Sequence, residues 1–263
     1  MAELFEAVVR SLRGKEPAAL VTEVQGPNPG AKMLVGEDSR LGTLGDEGLD
    51  AAVVEHARGM LDMAQTGIRT YGPQGQGNSD EVEVFIQAFS QSPDMYVLGA
   101  VNLASAVVRM GKFLGYRVTV ADARRVFANQ ERFPEADEIV VQWPNEFLET
   151  APISRRTAIV ILTHDPKFDI PVLEVALKSP AGYIGAMGSR RTHEKRKQSL
   201  REVGITDEEM VRIHAPLGLD IGARTPEETA VSIMGQIIAL RTARSGGHLE
   251  SAAGRIHAEP VKV

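Results

Sequence analysis

The 263-residue chain contains no cysteine. That absence excludes disulfides, thiolate metal sites and covalent carriage of sulfur on the chain itself. Its histidines (His56, His164, His193, His214, His248 and His257) form no HxxxH or HExxH spacing, so no structural metal is expected. No apolar run approaches the roughly 18 residues needed to span a bilayer. Glu3 and Glu6 fall inside the apolar pattern of residues 1–16, which therefore reads as an amphipathic helix and not as a signal peptide. The expected location is cytoplasmic, with no membrane partner. A net charge of −6 lacks the basic footprint of a nucleic-acid binder. There is also no internal repeat, no serine nucleophile elbow, and no carboxylate pair placed to act as general acid and base.

What is present suits two domains. The apolar content of 43% is enough for real cores, and the length exceeds that of a typical single domain. The first module is expected over residues 1–70. Residues 18–24 read as a strand, 27–35 as a turn leading into another, and 40–44 as a third. Val53, Val54, Ala57, Met60, Leu61 and Ala64 then recur at helical spacing and predict a helix over 50–65. Residues 71–92 are expected as a linker and connecting segment, because 70–80 concentrate Gly, Gln, Pro and Asn. Within that segment, residues 81–89 alternate well enough to be a strand completing either module.

From Asp94 the rhythm changes. Apolar, β-branched runs at 95–99, 116–122, 138–142, 157–163 and 182–186 are separated by helical patterns at 102–114, 167–178 and 192–203. This alternation predicts a doubly wound, Rossmann-like parallel sheet over 93–244, beside the smaller N-terminal α/β module. Thr206–Glu209 and Thr225–Glu228 fit capping boxes, with Pro226 at the favoured first helical position. Residues 245–263 read as a flexible tail.

The ligand-bearing candidates lie at strand ends. Gly99-Ala-Val-Asn-Leu-Ala104 keeps the first glycine of a G-x-G-x-x-G/A turn and an acceptable third position. Val101 occupies the second, where a branched Cβ would crowd a diphosphate. Asp122 stands where the ribose-binding acid of a dinucleotide fold would, or else caps a local turn beside Arg124 and Arg125. His164 and Asp165 follow the most apolar strand and face the expected crevice, although Asp before Pro166 also starts turns. Gly188 and Ser189 begin a helix whose first turn carries Arg190, Arg191 and His193. Cations there oppose the helix dipole, so a phosphate-type ligand would relieve them; a solvated basic face is the alternative. Gly218 and Gly222 imply close backbone approach or positive φ in the following loop, where Asp220 could bond the loop's own amides.

Residues 185–196, GAMGSRRTHEKR, and 216–239, PLGLDIGARTPEETAVSIMGQIIA, resemble the C-terminal hallmark of the XdhC/CoxI family. Those proteins are accessory factors for maturing xanthine dehydrogenase and carbon monoxide dehydrogenase. Looser landmarks lie in the first module, at Gly30-Ala-Lys32-Met33 and Gly42-Thr-Leu-Gly45. The family commonly continues with two glycines, a cysteine, an apolar residue and a glutamate. Here Gly48 stands in the cysteine slot and Asp50 in the glutamate slot. Lys32 reads either as a phosphate partner or as an ordinary exposed lysine.

The resemblance implies a factor that binds molybdenum cofactor (molybdopterin) and delivers it to an apo molybdenum hydroxylase. A separate cysteine desulfurase would supply sulfur, and a homodimer is plausible. On that reading Gly188, Ser189, Arg190, Arg191 and His193 hold the phosphate end, while Asn102, His164 and Asp165 line the same crevice. Two alternatives stay open at this point. One is an NAD(P)-dependent oxidoreductase using Gly99, Ala104 and Asp122; the other is a docking protein with a vestigial nucleotide crevice.

Overall fold

The computed structural model describes residues 2–14, 17–77, 81–90, 92–163 and 166–251, which form two compact units, one of the residues up to Ser92 together with those from Leu249, the other Pro93–His248. The first unit contains α1 (Ala2–Gly14), β1 (Ala18–Gln25), β2 (Lys32–Gly36), β3 (Arg40–Gly42), α2 (Glu47–Asp62), β4 (Gly67–Tyr71) and β5 (Val82–Phe89). Its sheet runs β3-β2-β1-β5-β4, antiparallel throughout. Strand periodicity decides what each face buries. Ala19 and Val21 of β1, Met33 and Val35 of β2, and Val82, Val84 and Ile86 of β5 form one core with α2. Ala18, Leu20 and Leu34, one residue out of phase, pack instead with Leu4, Ala7 and Val8 of α1. The sheet is thus covered by a helix on each face.

Residues 82–89, read as a strand able to complete either module, form β5, which sits between β1 and β4 in the sheet of this unit. The helix expected over 50–65 starts earlier, because Asp46 caps it by accepting from the Leu49 amide at 2.9 Å.

The second unit contains β6 (Asp94–Leu98), α3 (Asn102–Phe113), β7 (Arg117–Ala121), β8 (Glu138–Val140), α4 (Pro144–Thr150) and β9 (Ala158–Ile161). There follow α5 (Pro166–Lys178), β10 (Tyr183–Ala186), α6 (Arg190–Glu202), α7 (Asp207–Met210), β11 (Ile213–His214) and α8 (Pro226–Arg241). All six strands are parallel, in the order β11-β10-β9-β6-β7-β8. Every residue of β9 and β10 is buried, as a sheet covered on both faces requires. Tyr96, Leu98, Ile159, Ile161 and Ile184 pack with α4, α5 and α6 on one side. On the other, α3 packs against β6, β7 and α8. This is the doubly wound arrangement. Strand order reverses between β6 and β9, so their carboxyl ends open a crevice.

Both capping boxes form, at Thr206–Glu209 and Thr225–Glu228. No helix among the described residues is long and apolar enough to cross a membrane. The segment expected as a tail is described as far as Ser251, with one 3-10 turn at Leu249–Ser251; residues 252–263 lie outside the described residues.

Candidate functional site

At the switch point, Gly99 takes the chain from β6 towards α3 with φ +107°. A Cβ there would lie 2.9 Å from Cγ2 and 3.2 Å from the backbone nitrogen of Thr163, at the end of β9. The position demands glycine on both counts. Val101 then caps α3 through extended backbone, without a side-chain bond to the first turn and with no acidic residue following it. Asn102, the first residue of α3, is exposed. The N-terminal amides of α3 are therefore left without the usual side-chain acceptor.

Two cavities meet at Val101. The smaller, about 270 Å³, is bounded by Asp122, Arg124, Trp143, Thr163 and Phe168. The larger, about 560 Å³, runs between the starts of α3 and α8 and is lined by Asn102, Arg124, Arg132, Met187 and Arg224. Three arginines face this second space, and no carboxylate does among the described residues. Arg132 is held by donating to the carbonyls of Ala100 (3.1 Å) and Phe127 (3.2 Å), with its guanidinium over the Phe127 and Phe133 rings.

Asp122 serves the wall of the crevice. One carboxylate oxygen accepts from the amide and Nε of Arg124, both at 2.9 Å. The other accepts from the Ala100 amide and Nη2 of Arg124, both at 2.8 Å. These bonds occupy all the acceptor positions of a carboxylate, leaving none for a ribose hydroxyl. Burial raises the pKa of Asp122, but the hydrogen bonds from Arg124 and the two amides outweigh it, and the group is held below its ordinary value. With a depressed folded pKa, the stabilisation is fully present above the unfolded value of about 3.9 and is lost as pH falls through the lower, folded one. Asp122→Asn should therefore cost most stability above about pH 4, and the gap from wild type should close below it. Urea unfolding of both proteins between pH 7 and pH 3 tests this; a gap independent of pH would mean that the carboxylate's charge is not what matters.

One strand further along, β10 delivers Gly188 and Ser189. The turn is pinned from beneath. Arg196 of α6 donates to the Met187 carbonyl (2.8 Å) and to Asp169 of α5 (2.6 Å), and Asp169 also accepts from the Thr163 hydroxyl. Both side chains of this ion pair are buried, so the carboxyl ends of β9 and β10 are tied together through the interior. Ser189 caps α6 by accepting from the Thr192 amide at 3.1 Å. Arg190 and Arg191 project from the first turn, exposed.

Gly99, Asn102 and Asp122 thus surround the crevice, and Gly188–Arg191 occupy the neighbouring strand end. His193 does not join them. It is buried beside a different space of about 290 Å³, with Lys197, Arg201 and Met210, because steps of four residues carry it along another face of α6. Burial, and then the Lys197 and Arg196 charges, push its imidazole below the ordinary value. His164 and Asp165 lie outside the described residues. Asp220 is exposed and makes no hydrogen bond among them. The loop around it is held instead by Gln236, which accepts from the Gly218 amide (2.8 Å) and the Tyr183 hydroxyl (2.8 Å). Sequence reasoning does not single out Arg132, Trp143, Phe168, Asp169, Arg196 or Arg224. Trp143 and Asp169 carry a usable signal: the first stands just past a strand's carboxyl end, the second is a charge inside an apolar helical register.

The family described as "XdhC Rossmann domain" matches residues 95–237, and "XdhC and CoxI family" matches residues 11–72. The chain belongs to the XdhC/CoxI family. Over 92 residues this XdhC/CoxI chain is 38% identical to the molybdenum cofactor insertion chaperone PaoD of Escherichia coli (strain K12), covering 35% of this chain and 29% of PaoD. Over 158 residues it is 28% identical to a probable xanthine dehydrogenase subunit of Bacillus subtilis (strain 168), covering 60% and 46%. The chain spans less than half the length of the curated relatives it matches. The crystal structure of a xanthine dehydrogenase from Bacillus halodurans shares the fold, with TM-score 0.53 and 20% identity over 94% of this chain and 97% of that one.

The family landmarks of the first unit make local contacts in this XdhC/CoxI chain. Lys32 Nζ donates to the Thr22 hydroxyl at 2.9 Å. Asp50 is buried and accepts from the Leu44 amide at 2.7 Å, with Arg40 3.6 Å from its other oxygen. At Gly48, a Cβ would lie 2.7 Å from the Gln74 carbonyl, so the backbone here has closed over the space a cysteine would need.

Proposed function

We propose that this chain is an accessory factor for maturing molybdenum-containing hydroxylases of the xanthine or carbon monoxide dehydrogenase type, binding molybdenum cofactor as its cargo. The observation that carries this reading is the cavity at the switch point. Three arginines, of which Arg124 is paired with Asp122, and an uncapped helix N-terminus face one space, and no carboxylate lines it among the described residues. Such a space suits an anionic, phosphate-bearing ligand. Gly99 and Asn102 place the α3 amides at it; Gly188, Ser189, Arg190 and Arg191 extend the basic surface along the adjoining strand end. His164 and Asp165, which follow Thr163 directly in sequence, complete the proposed set.

On this reading these residues bind, orient and shield the cargo. The PaoD relationship supports the insertion role, and the absence of cysteine makes any sulfuration the work of a partner such as a cysteine desulfurase. The apo-hydroxylase is the recipient. The nicotinamide alternative keeps the fold but loses its main recognition residue, since Asp122 is saturated by Arg124 and Ala100. The test is binding of isolated molybdenum cofactor to the purified chain, with NAD(H) and NADP(H) titrated in parallel. Cofactor binding without nicotinamide binding is expected. Nicotinamide binding alone would replace this reading with an oxidoreductase, and silence in both would leave a docking protein.

A further inference from the structure

Trp143 is the chain's single tryptophan, and the fold puts it in an unusual place for a structural one. It stands three residues beyond β8, immediately before α4, and is 46% exposed. Its ring stacks on Phe168 at the start of α5, with centroids 5.3 Å apart and 23° between planes. The two elements come from different strand crossings, so the pair bridges the carboxyl ends of β8 and β9. Across the smaller cleft stand Val101, Ala123 and Arg124. A large, half-exposed aromatic face at the ligand end of a doubly wound sheet is surface that packing alone does not account for.

The carboxylate and hydroxyl groups around that cleft are already engaged. Asp122 is held by Arg124 and the Ala100 amide, and the Thr163 hydroxyl is committed to Asp169. What enters is therefore recognised through its faces more than through its edges. About 270 Å³ lies just below the usual range for a whole small-molecule site, and suits one ring system. Val101 lines both this cleft and the arginine cavity, so a ligand can lay a flat end against Trp143 and extend a charged end past the start of α3.

We infer that Trp143 and Phe168 form the subsite for a planar aromatic heterocycle linked to phosphate, the ring-bearing end of the cargo. This rests on the crevice being the binding site. It does not require that the cargo be molybdenum cofactor, because a pterin and a nucleobase present the same stacking chemistry.

The sole tryptophan makes the test direct, because its emission reports this cleft and nothing else. The full chain is titrated with CMP, GMP, AMP and neopterin monophosphate, and with ribose 5-phosphate as the ring-free control. Trp143 emission and calorimetry are both followed, and molybdenum cofactor binding is measured alongside. Ring-bearing probes should quench Trp143 and bind, while ribose 5-phosphate should do neither. By calorimetry, Trp143→Ala should weaken ring-bearing probes about tenfold, whereas Trp143→Phe should stay close to wild type. Phe168→Leu, which keeps the reporter, should also weaken them and guards against a fold defect in Trp143→Ala. Preference for the pterin points to the pterin end of the cargo, and preference for a nucleotide to a dinucleotide form; either supports the subsite. Equal binding of ribose 5-phosphate, or full affinity in Trp143→Ala, overturns it. If molybdenum cofactor binds but no ring probe quenches Trp143, the subsite falls and the cargo reading stands. Quenching by ring probes without any binding of the cofactor gives the reverse.

Discussion

Arg196→Ala should destabilise the second unit by about 3–5 kcal/mol, the usual consequence of removing one member of a buried ion pair. The cost is that of an orphaned charge. The side chains of Arg196 and Asp169 are 2% and 1% exposed. Without the guanidinium, Asp169 keeps only the Thr163 hydroxyl as donor among the described residues, and the Met187 carbonyl loses the bond from Arg196. Arg196 already carries one buried nitrogen without a partner, so the pair is not an optimal source of stability to begin with. Its role is to tie two strand ends in register. Asp169→Asn with Arg196→Met should consequently lie closer to wild type than the sum of the single variants, because no buried charge is left unpaired. Urea unfolding followed by Trp143 fluorescence reads the second unit specifically. A loss below about 1 kcal/mol in Arg196→Ala, well short of the buried-pair range, would show that the β9 and β10 ends are held by packing alone.

The two arginine populations of α6 explain what the sequence can and cannot disclose. Strand–helix alternation from Asp94 onward is written in local periodicity, and the six-stranded doubly wound sheet follows it. Gly99 and Asp122 are legible for the same reason, since their places at strand ends depend only on where each strand stops. Within residues 190–202, by contrast, Arg190, Arg191 and Arg196 look alike. Only packing of α6 on α5 turns Arg196 inward to Asp169, and no spacing rule within α6 announces a partner 27 residues away. His193 suffers from the same ambiguity, as a first-turn residue whose side chain serves another face. In the first unit, β5 is legible as a strand from its alternation, but alternation does not say which module it completes. Its pairing with β1, far earlier in the chain, decides that only in the fold. Trp143 escapes notice because no helix or strand pattern runs through it, although strand ends are where such sheets keep their ligands.

On the exposed side of the same helix, replacing Arg190 and Arg191 together with Ala should give the opposite result to Arg196→Ala. Both side chains are solvent-facing and without hydrogen bonds or ion pairs among the described residues. Exposed substitutions of this kind usually change stability by less than about 0.5 kcal/mol. The expected change is a slight gain, since two cations no longer oppose the positive end of the α6 dipole. Cofactor affinity should instead fall at least about tenfold, because a charge-assisted hydrogen bond to phosphate is worth roughly 1.5–3 kcal/mol. Residual binding should become less sensitive to salt, as two fewer exposed charges contribute to it. Equilibrium binding of molybdenum cofactor at two ionic strengths, beside a thermal melt of the same protein, separates the possibilities. Unaltered affinity would confine the anion to Arg124, Arg132, Arg224 and the α3 amides, and would leave the first turn of α6 as a solvated basic face. A lowered melting temperature would instead mean that these arginines support the Gly188–Ser189 turn, and that any affinity loss is indirect.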